Sequence, residues 1–105
     1  MDIKTIFEKC KIEATKYALD TVGENIMIYP CGFAWVYLKV RKNDRFGKSL
    51  EAAGVMDWDN YAKHYKYWVG DFNQSVSHKE VFAGKMAGLL TKEFDVHFGY
   101  NSRWD

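Results

Sequence analysis

From Gly32 to Arg41 the chain reads GFAWVYLKVR, and parity sorts its side chains into two sets. On an extended strand Ala34, Val36, Leu38 and Val40 share one face, while Phe33, Trp35, Tyr37, Lys39 and Arg41 share the other. A second strand is expected at HYKYWVG, where Tyr65, Tyr67 and Val69 oppose His64, Lys66 and Trp68. DVHFGYN alternates Val96, Phe98 and Tyr100 with polar or small residues and predicts a closing strand. VMDWDN suits a short edge strand turning at Asp59 and Asn60, and IMIYP suits a short extended segment whose geometry Pro30 restricts.

Three stretches carry helical spacing instead. Ile3, Ile6, Phe7, Cys10, Ala14, Tyr17 and Ala18 make one stripe, with Asp2 placed to cap it and Gly23 to stop it. NDRFGKSLEAAG offers Asn43 or Asp44 as a cap, Phe46, Leu50 and Ala53 as an apolar face, and Gly54 as a stop. Ser77 and Glu80 have capping-box spacing ahead of Phe82, Ala83, Met86, Ala87, Leu89, Leu90 and Phe94. Gly84 and Gly88, four apart, suggest close packing of this helix on the sheet.

The resulting order is a helix followed by β-α-β-β-α-β. This predicts an α+β fold: a ferredoxin-like (split βαβ) sheet with two helices on one face, preceded by an extra N-terminal helix. Residues 1–105 are expected to form a single domain, with 1–22 as the helical extension and 26–105 as the sheet-and-helix core.

The small aliphatic set of the first strand suits the helix side, which leaves Phe33, Trp35 and Tyr37 facing away. Each buried ring removes about 150–250 Å² from water, so three of them, joined by Tyr65 and Tyr67 or by neighbouring Trp68, need a cover. The leading expectation is a homodimer that stacks two such faces. An intramolecular cover by the N-terminal helix comes next. The third reading is a stacking platform for single-stranded nucleic acid, with Lys39, Arg41 and Lys42 as a cationic rim.

Composition changes this picture only in part. Aromatic residues make up 17% of the 105, which strengthens the case for a contact surface. The net charge of +1 supplies no global field toward nucleic acid or anionic membrane. The one local bias is Lys39, Arg41, Lys42, Arg45 and Lys48 against Asp44. No apolar run reaches the roughly 20 residues of a membrane span, and the charged N-terminus does not read as a signal peptide. A cytoplasmic protein with two reduced thiols is expected.

Candidate chemistry is sparse. Cys31 stands just ahead of a strand, and His64, His78 or His97, oriented by Asp71 or Asp95, could serve it as base. That makes a small cysteine-dependent enzyme the alternative from another class, although a buried, inert cysteine is the commoner case. Cysteines and histidines never fall at metal-ligand spacings, so neither metal nor cofactor is expected. His78 and His97 read as solvated or half-exposed, and Arg103 with Trp104 reads as a packed tail.

CGFAWV, RFGKSLEAAGV, SVSHKEVFAGKMAGLL and SRWD, in that order, resemble a group of small uncharacterised proteins from tailed bacteriophages and environmental sequence. That group has a Cys-Gly-x-Ala-Trp-Val strand start, here Cys31 to Val36, and a Ser-Arg-x-Asp C-terminus, here Ser102 to Asp105. The resemblance implies a phage product in the cytoplasm of a bacterial host. It supplies no reaction, but it adds Cys31, Arg103 and Asp105 as candidate functional residues.

Overall fold

The computed structural model describes residues 2–23, 32–70 and 76–104. Helix α1 spans Ile3–Val22 and α2 Arg45–Ala52; α3 spans Val76–Phe94. Strands β1 (Gly32–Leu38), β2 (Asp57–Asp59), β3 (His64–Trp68) and β4 (Gly99–Trp104) form one sheet. Its order is β2-β3-β1-β4, and every neighbouring pair is antiparallel. The fold is α+β, as expected, with the extra helix at the N-terminus. The extended segment expected at 26–30 lies outside the described residues.

Local chemistry accounts for the helix ends. Asp2 accepts a hydrogen bond from the Thr5 amide at 2.8 Å, which caps α1 and lowers the Asp2 pKa below its ordinary value. Gly23 closes the helix at φ +107°, a conformation that side chains resist, and its N–H donates to the Leu19 carbonyl. Asp44, rather than Asn43, caps α2 by accepting from the amides of Phe46 and Gly47.

The core follows β1 parity. Ala34, Val36 and Leu38 are buried, and Phe82, Ala83, Met86, Ala87 and Leu90 of α3 join them in one cluster. Phe7, Cys10, Ala14 and Ala18 of α1 complete it. Three of those four side chains are small, so α1 and α3 can approach closely.

Several expectations change. Antiparallel register sets Leu38 opposite Tyr65 and Val36 opposite Tyr67. Directly opposed residues share a face, so Tyr65 and Tyr67 belong to the helix side and not to the aromatic face. Tyr65 is 1% exposed, and Tyr67 meets Phe7 of α1 edge-on at 6.3 Å. That contact also places α1 in the helix layer, so it does not cover the opposite face.

Helix α3 already begins at Val76, so Ser77 lies inside its first turn, and the Glu80 carboxylate accepts from the Ser102 hydroxyl of β4. The closing strand starts later than expected because Asp95, at φ +54°, ends the helical path and β4 begins at Gly99. β1 stops at Leu38, where the Val40 amide turns back onto the Leu38 carbonyl. Gly84 does admit the Tyr100 ring, whereas nothing approaches Gly88.

Gly47 shows how tightly α2 sits: a Cβ there would overlap the Tyr65 ring. Tyr65 cannot yield easily, because it is buried and its hydroxyl accepts from the Asn43 amide at 3.3 Å. Gly47→Ala gains about 1 kcal/mol in helix propensity but incurs about 1–3 kcal/mol of overpacking. The expected result is a lower urea midpoint than wild type; a higher one would show that α2 is not held against Tyr65.

Candidate ligand face

The sheet surface away from the helices is built in cross-strand rows. Arg103 of β4 faces Phe33 of β1, and Asn101 faces Trp35, which in turn faces Trp68 of β3. Gly99 faces Tyr37, which faces Lys66, which faces Asp57 of the edge strand. His64 faces Asp59 at the far corner.

The rings pack against one another without being sealed off. Trp35 and Trp68 are parallel to within 1°, with centroids 5.6 Å apart, and Phe33 lies 5.5 Å from Trp68. Trp68 is 46% exposed. The Lys66 ammonium sits 5.0 Å from the Trp35 ring and 5.5 Å from the Trp68 ring, within reach of attraction by both. Arg103 lies over Phe33 at 5.4 Å. Tyr37 stacks on His64 at 4.9 Å, and its phenol occupies the space that a side chain at Gly99 would fill.

Charge on this face is unequally matched. Asp59 accepts the amides of Tyr61 and Ala62 and pairs with Lys66 at 2.6 Å, contacts that hold its carboxyl down to about 2. It is therefore ionised throughout the physiological range and already engaged. Lys39 and Arg103 pair with no carboxylate among the described residues. Between them opens a concavity of about 480 Å³, lined by Trp35, Tyr37, Asp59, His64, Lys66 and Trp68 among others.

His64 is 9% exposed, and its Nε2 has no hydrogen-bond partner. Burial chiefly, and then the Lys66 charge, lower its pKa; Asp59 opposes them in part. A buried ring nitrogen without a partner is uncommon, because it costs the desolvation of that atom.

The other sequence candidates are dispersed. Lys39 lines the concavity, but Arg41 and Lys42 are exposed on the loop beyond β1 and outside it. Cys31 and Asp105 lie outside the described residues, as does the Trp104 side chain. Cys10 is in the core, where burial pushes its thiol up. His78, expected at the surface, is buried with its Nε2 against the Gly23 carbonyl, tying α3 to the end of α1; His97 is exposed. Among the described residues no group of His, Cys, Asp and Glu is arranged to hold a metal ion, and no helix is long and apolar enough to cross a membrane.

Sequence reasoning found Phe33, Trp35, Tyr37, Lys39 and, as a candidate, Arg103; it offered Trp68 only as an alternative to Tyr65 and Tyr67 and His64 only as a base for Cys31, and it missed Asp59, Lys66 and Asn101. A usable signal was Val69, an aliphatic residue in phase with Tyr65 and Tyr67. It marks their side as the core side and leaves Trp68, Lys66 and His64 to face the first strand's rings.

Compared with known proteins, the chain matches no family model, no curated protein and no solved structure.

The His64 environment predicts a pH effect on stability. Its folded pKa lies below the ordinary 6.5, so the unfolded chain takes up the proton first as pH falls. This contribution is full above about 6.5 and is lost as pH falls through the lower folded value. His64→Phe keeps a ring against Tyr37 and removes the titration. Its melting temperature is expected to fall less than wild type's between about pH 7.5 and pH 5; an unchanged dependence would contradict the burial of a neutral ring.

Proposed function

We propose that the chain is a ferredoxin-like unit with an added N-terminal helix, working as a non-catalytic binding module through its open sheet face. Two βαβ halves, both crossing on the helix side, would produce the strand order β2-β3-β1-β4, which supports that assignment. On the strength of the sequence resemblance, we assign it to the cytoplasm of a phage's bacterial host.

The observation that carries the functional reading is the parallel Trp35 and Trp68 pair, with Trp68 46% exposed, beside Lys39 and Arg103, cations that pair with no carboxylate among the described residues. Flat rings favour a flat ligand, and three cations (Lys39, Lys66 and Arg103) against two carboxylates (Asp57 and Asp59) among the described residues of the face favour an anionic one. The stacked homodimer is the weaker reading. A second copy would set another Lys39, Lys66 and Arg103 against the same three cations, with only Asp57 and Asp59 as carboxylates among the described residues of the face, and burying unmatched charge costs several kcal/mol per ion. Catalysis by Cys31 draws no support from the described residues, since the chemistry assembled on this face is stacking and charge.

Quenching of tryptophan fluorescence by iodide and by caesium tests the reading. An open, cation-rimmed face concentrates the anion, so iodide should quench about twofold or more better than caesium after correction for intrinsic efficiencies. Trp68→Phe should remove most of that difference. Equal quenching, or a difference that Trp68→Phe leaves intact, would refute an open anion-attracting face.

A further inference from the structure

We infer that the occupant of this face is single-stranded nucleic acid, with bases stacked on the rings and phosphates held at two separated cations. The inference rests on the proposed ligand face and adds the identity of the ligand.

Length is the first argument. Arg103 stands opposite Phe33, at one end of the β1 ring track, and Lys39 stands just past Leu38, where the strand ends. At about 3.3 Å per residue, the backbone from Phe33 to Leu38 runs about 17 Å. A single nucleotide cannot cover that ring track. A strand of a few nucleotides can, and four-stranded sheets of this width stack two or three bases.

The arrangement of rings fits the same occupant. Phe33, Trp68 and Trp35 make one aromatic group and Tyr37 with His64 another, and Lys66 is held near the first by its pair with Asp59. Every base offers a π-face, so such surfaces accept single strands with little sequence preference. Duplex bases are already stacked and paired, and they cannot lie on this face.

An independent observation also points to a ligand. His64 lines the concavity with its Nε2 unpartnered, and Asn101, exposed on the same face, has an amide nitrogen available beyond the contact its oxygen makes with the Ser102 amide. The exposed Asn101 amide can hydrogen-bond a base edge, and the buried His64 nitrogen leaves a polar atom under the rings for a ligand to satisfy. With a net charge of only +1, stacking rather than a long-range field must supply most of the affinity. Two phosphate contacts give a salt slope of about −1.4, since each contributes about −0.7 on a single strand.

The test titrates the full chain with oligouridylate and oligothymidylate of about six nucleotides, a size within the range of small single-strand sites. Uridine monophosphate and a short duplex serve as comparison probes. Both single strands, or one of them, should quench tryptophan fluorescence and bind at least about tenfold more tightly than either comparison probe. A preference between the two identifies RNA or DNA as the source. Trp68→Ala should weaken binding about tenfold or more. Lys39→Gln and Arg103→Gln should each make the salt slope shallower by about 0.7, whereas Lys92→Gln, on the exposed side of α3, should change neither. Circular dichroism of each variant separates lost binding from lost fold. If iodide reports an open, anion-attracting face but neither oligonucleotide binds at low salt, the inference fails and the ligand face stands. Duplex or mononucleotide binding as tight as the single strands would also overturn it. If iodide reports a covered face, both ideas fall together.

Discussion

The pleat of β1 commits each of its side chains to one side of the sheet, and both the core and the candidate site depend on that division. Ala34, Val36 and Leu38 are compact enough for α3 to lie directly on the strand, and their burial closes the core. The alternate positions must then carry Phe33, Trp35 and Tyr37 outward, because a one-residue slip would reverse every side chain at once. Register transmits the constraint to β3. Setting Val36 against Tyr67 draws Tyr67 toward α1, and setting Trp35 against Trp68 builds the indole pair.

Electrostatics gives the outward face its character. Asp59 caps its own turn through two amides and also holds Lys66, so one carboxylate orders a loop and positions an ammonium beside two indoles. Lys39 and Arg103 pair with no carboxylate among the described residues. His64 is buried against Tyr37, and burial, with the Lys66 charge, holds its pKa below the ordinary value. Stacked rings and a pinned cation leave little side-chain freedom to be lost were the proposed ligand to bind this face.

Much of this was legible wherever the sequence pattern has a single solution. Asp2 and Gly23 bracket α1 as expected, because capping and positive φ are local demands. The parity of β1 was plain because its two sets differ so strongly in size. On β3 both sets contain large rings, and only pairing with β1 selects between them, so the sequence pattern alone places Tyr65 and Tyr67 on the wrong side. His78 reads as polar surface in sequence, yet the Gly23 carbonyl satisfies it in the interior, a contact across 55 residues that no local pattern contains. The mutual placement of Asp59, Lys66 and Asn101 is likewise a product of strand order.

The most direct measurement is hydroxyl-radical footprinting of the folded chain, read residue by residue by mass spectrometry at low protein concentration. Opposite faces of β3 should behave differently: Trp68 should be oxidised readily, while Tyr65 and Phe82 should be protected almost completely until the chain unfolds. If Trp68 were as protected as Tyr65, or if Tyr65 were the reactive ring, the aromatic face would not be the open side of the sheet and the account would be wrong.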